Sequence, residues 1–202
     1  FKFDPAPKLK KQRVAIIGGG PAGMSAAYQL RKKGYASTVF EEREQLGGMM
    51  RYGIPNYRTP RDILDAEIQR ILDLGDIEVV LNTRVGKDVP LEDVEKSHDA
   101  VLWTIGCWNG RSLPVEGSDA ENCLNGVEFL EAFSQGRLKV GAQKVVCVGG
   151  GDTSIDVVSV ARRLGHISNM NPQEKPEAVV HGYVAQDVSE QAIKEGAEVT
   201  LT

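Results

Sequence analysis

The sequence predicts an α/β fold of two units, each built around a parallel sheet, and three observations carry that expectation. A turn spaced by Gly18, Gly20 and Gly23 joins an apolar run to a helix-like run. The spacing returns at Gly149, Gly151 and Ser154. The apolar run before the first turn, residues 14–17, is continuous rather than alternating, as expected of a strand covered on both faces, and residues 144–148 read as a strand before the second turn.

Taken in order, residues 1–12 are polar, contain Pro5 and Pro7 and read as a linker, with the basic stretch from Lys8 a solvated lead-in. Strand 14–17 leads into a helix over about 22–33, which Gly34 is placed to end. A second strand, 38–41, finishes on Glu41. The glycine- and aromatic-rich loop that follows is long for a simple connection, and loops of that kind are often functional. Thr59 is expected to cap a helix with Pro60 at its first position, and Leu64, Ile68, Ile71 and Leu72 form its apolar face before Gly75 closes it. Strands are expected at 77–81, 83–85 and, buried, 100–105, with short helices at 90–96 and 127–133. The loop 106–122 reads as a domain junction. Past strand 144–148 a helix over 155–164 should end at Gly165, and the stretch from about 166 to 197 is too long for a simple crossover, so it reads as an insertion. The expected domains are therefore 13–125 and 126–202.

Composition narrows the function classes. At 202 residues and 41% hydrophobic content the chain can bury one sizeable core or two small ones. A net charge of −4 without a long basic block gives no nucleic-acid surface and no affinity for an anionic membrane. No apolar run approaches the roughly 20 residues needed to cross a bilayer, and no signal-peptide pattern opens the chain, so a cytoplasmic protein without membrane insertion is expected. Cys107, Cys123 and Cys147 are scattered, which suits reduced thiols better than disulfides or a metal site. The chain starts at Phe1 and stops at Thr202 in a strand-like run, and we read it as part of a longer protein.

The first turn fits a dinucleotide. Gly18 permits the tight strand-to-helix turn, Gly20 lets backbone approach a pyrophosphate, and Gly23 lets helix and strand pack closely. The helix N-terminus offers free amides and a partial positive charge. Glu41 is placed to accept hydrogen bonds from a ribose. The second turn repeats this Rossmann-like arrangement with Ser154 at the third position, and Asp152 and Thr153 should sit at the helix start, capping amides or meeting phosphate and ribose. Asp156 is either a ligand or a solvated or capping residue.

With Pro21 and Ala22 inside it, the first turn resembles the flavoprotein form of the fingerprint, and the Gly47-Gly48 pair resembles a second flavin contact. The whole stretch from residue 13 to about 165 resembles the two-dinucleotide flavoproteins, most closely the glutamate synthase small-subunit family. IIGGGPAGMSAAYQLRKKGY, VFEEREQLGGMMRYGIPNYR, the strand end Thr104-Ile105-Gly106 and VVCVGGGDTSIDVVSVARRLG carry the likeness. It implies FAD contacts at Gly20, Pro21, Ala22, Gly23, Met24, Glu41, Glu42, Arg43, Leu46, Gly47, Gly48, Met49, Arg58 and Val85, with Thr104 and Gly106 at the strand end. It implies NADH or NADPH contacts at Gly151, Asp152, Thr153 and Ser154, beside Gly149. The long 166–197 segment is similar to the glutamate-synthase-like flavoprotein that accompanies dissimilatory sulfite reductase.

The resemblance implies hydride transfer from NAD(P)H to FAD and onward transfer of electrons to an iron–sulfur domain or subunit upstream, with a larger catalytic subunit as partner. The cofactors carry that chemistry, so no catalytic acid or base is nominated, and His98, His166 and His181 are too scattered to supply one. A disulfide reductase would need a paired redox cysteine, and none is present. Cys107, where the family often has alanine, is expected to be a small buried residue. The family's cysteine-rich upstream domain and the later segment of its flavin domain lie outside this sequence, so weak flavin retention, or none, is expected. A non-catalytic nucleotide-binding or electron-relay module, and a sulfur-oxidation flavoprotein, stay open as alternatives.

Overall fold

The computed structural model describes residues 7–111, 113–137 and 145–167. By contacts the chain divides into two compact units, Phe1–Arg51 with Arg61–Cys107, and Tyr52–Pro60 with Trp108–Thr202.

The first unit is a parallel sheet with helices on both faces. Strand β1 (Arg13–Ile17) is followed by helix α1 (Pro21–Lys32), β2 (Ala36–Phe40), the short α2 (Met49–Tyr52, whose last residue groups with the second unit), α3 (Arg61–Leu72), β3 (Ile77–Val80), α4 (Leu91–Ser97) and β4 (Ala100–Trp103). The sheet order is β3-β2-β1-β4, every pair parallel. Ile16 and Val39 point to the face covered by α1 and α3, where Met24, Leu46, Ile68 and Ile71 complete the core. Ala15 and Ile17 point the other way, against Val94 of α4. A two-residue side-chain period inside a strand covered on both sides explains why β1 reads as a continuous apolar run.

Several expected elements hold. The helix over 22–33 is α1, and Gly34 ends it with φ +89° and its N–H on the Arg31 carbonyl. Gly75 closes α3 in the same way at φ +73°. Others are corrected. Helix α3 begins at Arg61, with Pro60 immediately before it rather than at its first position. The expected strand at 83–85 is a single bridge between Val85 and Val89, because the chain folds back over Gly86 and Asp88 accepts the Arg84 N–H. Strand β4 is shorter than predicted and not buried: Leu102 is 40% and Trp103 52% exposed. Among the described residues it pairs only with β1, at the sheet edge, and no layer covers these apolar side chains.

In the second unit α5 (Gly126–Ser134) packs on α6 (Asp152–Ile167). Phe129 and Leu130 of α5, Val157 and Val160 of α6, and Tyr57 form its core. Asn125 caps α5, accepting the Val127 N–H at 2.9 Å. Residues 145–148 are not a strand, and Val146 is 88% exposed. A strand exists only through a partner, and none pairs here among the described residues. Lys144 and the expected insertion over 168–197 lie outside them. Helix α6 starts three residues earlier than predicted and runs through Gly165, which therefore does not cap it. Among the described residues no helix is long and apolar enough to cross a membrane.

Ile16 is fully buried whereas Ile63 is 58% exposed. Ile16→Ala should cost about 2–5 kcal/mol of stability by urea unfolding, and Ile63→Ala no more than about 0.5 kcal/mol.

Candidate functional site

The first glycine turn is closed by contacts that only glycine permits. Gly18 has φ +108°, and a Cβ there would lie 2.5 Å from the Thr104 carbonyl oxygen. A Cβ on Gly23 would lie 1.9 Å from the Gly18 oxygen. Gly20 is the N-cap of α1 in extended conformation, and Pro21 occupies the first helical turn, where its missing N–H costs nothing. Thr104 ties the next strand to the turn: its hydroxyl donates to the carbonyls of Ile17 at 3.0 Å and Gly18 at 2.9 Å.

Glu41 is buried, and its carboxylate is shared between two backbone donors. Oε2 accepts the Gly19 N–H at 2.7 Å and Oε1 the Arg43 N–H at 3.0 Å. The Gly19 carbonyl in turn accepts from Gly47 N at 2.9 Å. That bond lays the second glycine pair on the turn. Gly48 sits so close to Gly20 that a Cβ on it would lie 2.7 Å from the Gly20 Cα. Gly18, Gly20, Gly23, Glu41, Arg43, Gly47, Gly48 and Thr104 thus form one connected surface in the first unit. The N–H groups at the start of α1 have no intrahelical acceptor and so favour an anion at this end.

The remaining predicted residues of this unit divide by exposure. Pro21 and Ala22 are exposed at the helix start, and Met49 is half-buried. Met24 and Leu46 turn their side chains into the core, so only their backbones can face a ligand. Glu42 is exposed and pairs loosely with Arg84 at 3.7 Å. Val85 packs beneath the sheet with Ala15 and Ile17 rather than at the turn. Gly106 is exposed with φ +71°. Cys107 is exposed, not buried as expected, since the chain has left the sheet before reaching it. His98 is structural: its ring bridges the Val94 carbonyl and the Thr38 hydroxyl at 3.0 and 2.9 Å.

The sequence reading missed Arg51. Its side chain is buried, Nε donates to the Leu46 carbonyl at 2.5 Å, and Nη2 pairs with Asp65 of α3. It holds the glycine loop from behind. Its one sequence signal is a lone cation inside GGMMRYG.

The second turn is barer. Gly149 has φ +120°, and a Cβ there would meet Ser154 Oγ at 2.8 Å, while among the described residues a Cβ on Gly151 would meet nothing within 4 Å. Asp152, Thr153 and Ser154 form the first turn of α6, with Asp152 and Thr153 exposed. Asp156, one turn on, is buried and accepts Arg58 Nη1 on both oxygens, at 2.7 and 2.8 Å. Arg58, expected at the flavin, thus has its cation anchored on α6 within the second unit.

Burial raises the Asp156 carboxyl above its ordinary 3.8, outweighing the opposing effect of the Arg58 hydrogen bond, while that same bond raises Arg58. Asp156 is the buried partner, so it bears the desolvation cost of the pair.

Three comparisons bear on this geometry. The family described as pyridine nucleotide-disulphide oxidoreductase matches residues 12–202. The chain is 40% identical over 168 residues to the NADPH-Fe(3+) oxidoreductase subunit beta of Geobacter sulfurreducens, covering 81% of this chain and 25% of that protein. It is 34% identical over 167 residues to the glutamate synthase [NADPH] small chain of Azospirillum brasilense, covering 77% and 34%. The chain thus spans a quarter to a third of the length of these curated relatives. The solved structure of Mycobacterium tuberculosis FprA in complex with NADPH superposes with a TM-score of 0.66 at 20% identity, over 73% of this chain and 36% of that one, a likeness of fold.

Gly23→Ala should destabilise the first unit by about 1–3 kcal/mol through overpacking against the Gly18 carbonyl, measured by thermal or urea unfolding. A raised folded-state pKa means that the unfolded chain releases the Asp156 proton first, so this contribution is present at low pH and declines as pH rises through the folded pKa. The stability of the wild type relative to Asp156→Asn should therefore fall as pH rises from below 3.8, then level off, when melting temperatures are compared across pH.

Proposed function

Since the chain belongs to the pyridine nucleotide-disulphide oxidoreductase family, we propose that it is the hydride-accepting module of a larger NAD(P)H oxidoreductase. FAD and NAD(P)H are its cofactors. The observation that carries the reading is the pair of glycine turns, one in each unit, each opening a helix whose N-terminus can take a pyrophosphate.

The chain's residues fit two such groups. In the first unit Gly20, Pro21 and Ala22 leave backbone accessible at the start of α1, and Glu41 retains acceptor capacity beyond its two backbone donors for a ribose. We assign FAD to this surface, from Gly18 to Met24, Glu41 to Arg43, Leu46 to Met49, Thr104 and Gly106, with Val85 beneath it. We assign NAD(P)H to Gly149, Gly151, Asp152, Thr153 and Ser154, where the open space over Gly151 admits a ligand's phosphates. When bound, the cofactors supply the redox chemistry, taking hydride from nicotinamide to flavin and releasing electrons singly to iron–sulfur clusters. The protein's part is to bind and orient.

The family's name includes disulphide chemistry, but the three cysteines, Cys107, Cys123 and Cys147, are free and too far apart in sequence to form a C-x-x-C pair. We therefore place the electron exit in an iron–sulfur domain or partner subunit. The relatives' own names, subunit beta and small chain, support a multi-subunit enzyme. We place it in the cytoplasm.

The experiment uses the full-length protein under anaerobic conditions. NADH or NADPH should bleach the flavin absorbance within a turnover, and no bleaching with either donor overturns the reading. Gly151→Val, whose side chain has room in the fold, should leave the melting temperature and flavin content unchanged while weakening the nucleotide by about tenfold or more.

A further inference from the structure

Two carboxylates, Asp152 and Asp156, stand one turn apart at the N-terminal end of α6. A helix N-terminus offers only about half an elementary charge to an anion, so two acids beside it oppose a phosphate unless a cation offsets them. Arg58 is that cation. Both oxygens of Asp156 converge on its Nη1, and Asp152 and Asp156 both act on its charge.

The form of the pair is informative. A guanidinium that serves only as a staple commonly meets a carboxylate fork to fork, through two nitrogens. Here one nitrogen takes both oxygens, and among the described residues Nε and Nη2 have no bonded partner. The Arg58 side chain is 31% exposed and that of Asp156 8%. The acid is thus the fixed, buried end and the guanidinium the accessible end. The backbone that delivers Arg58 is fixed as well. Tyr57 is buried among Phe129, Leu130, Val157 and Val160, and the Arg58 and Thr59 N–H groups both close on the Pro55 carbonyl, at 3.0 and 3.1 Å. Arg163, over the Tyr57 ring at 3.5 Å, is the other cation acting on Asp156.

We propose that Asp156 is a positioning residue that aims Arg58, through its Nε and Nη2, at a phosphate of a bound dinucleotide. This rests on the function proposed above. Both cofactors carry the same pyrophosphate chemistry, so FAD and NAD(P)H are separated by experiment.

The test uses full-length wild type, Arg58→Lys, Arg58→Gln, Asp156→Asn and the double variant Arg58→Gln/Asp156→Asn. Flavin retained per chain and Kd for NADP+ and NAD+ are each measured at low and high salt. Arg58→Gln should weaken one dinucleotide about tenfold, the scale of one charge-assisted hydrogen bond, and flatten its salt dependence. Arg58→Lys should restore the salt dependence but only part of the affinity, since a point charge replaces a directed fork. Asp156→Asn should weaken the same dinucleotide, and the double variant should be no worse than Arg58→Gln. Loss of flavin alone assigns the phosphate to FAD, and loss of nicotinamide affinity alone assigns it to NAD(P)H. Either result supports the proposal. Tighter binding in Asp156→Asn overturns it, because Asp156 would then merely compete with the ligand for Arg58. Unchanged affinities with only lower melting temperatures also overturn it, leaving the pair a structural tie. A wild type that binds neither dinucleotide overturns the proposed function itself.

Discussion

The first unit depends on one buried carboxylate. Glu41 immediately follows β2, and its two oxygens take the N–H of Gly19 and of Arg43. Burying an ionised carboxylate without donors is costly, and charge-assisted bonds from backbone N–H groups are the strong kind that offset this cost. The same bonds fix geometry. They draw the turn after β1 to the end of β2, and the Gly19 carbonyl, so placed, accepts Gly47 N and brings the loop onto the turn. An acid that sequence logic assigns to a ribose is therefore first a tether. The two roles are compatible, because a carboxylate has about four acceptor sites and the protein engages one on each oxygen.

What the tether begins, buried arginines complete. Arg51 donates to the Leu46 carbonyl and pairs with Asp65, so the loop between β2 and α3 is held from α3 as well as from the turn. Arg31, also buried, ties α1 to the Gly75 and Pro7 carbonyls and to Asp76. Each uses several nitrogens in fixed directions, which a lysine ammonium does not reproduce. A glycine-rich loop left to itself has large conformational freedom to lose on meeting a ligand. Fixing it in advance moves that cost from binding to folding.

Legibility follows the range of the forces. The order of strand, turn, helix, strand and acid was readable because Gly18, Gly34 and Gly75 hold positive φ, which favours glycine, and a Cβ on Gly23 would meet the Gly18 oxygen only five residues back. The ion pairs were not readable. Arg51 finds Asp65 across 14 residues and Arg58 finds Asp156 across 98, and in the sequence each looks like any surface charge. Strand predictions failed where a neighbour was required. An apolar run such as 145–148 carries no record of what it pairs with, and Leu102 and Trp103 read as buried only if a layer is assumed over β4. Gly165 failed for the opposite reason: glycine permits a helix end without enforcing one, and α6 continues through it.

The two turns share a spacing and meet it by different sterics. In the first, the third position must be glycine, because a Cβ on Gly23 would lie 1.9 Å from the Gly18 oxygen. In the second, Ser154 occupies that position, and the demand moves to Gly149, where a Cβ would meet the serine hydroxyl at 2.8 Å and φ is +120°. The tight contact that each turn needs is thus met at a different position, Gly23 in the first and Gly149 in the second. The middle position differs too. Gly20 has Gly48 against it, whereas among the described residues nothing stands within 4 Å of a Cβ on Gly151. The first turn is half enclosed by its own chain and suits a ligand that stays bound. Among the described residues Gly151 is open, and an open phosphate cradle suits a ligand that must arrive and leave at each turnover. That asymmetry agrees with assigning the resident flavin to the first turn and the exchanging nicotinamide nucleotide to the second.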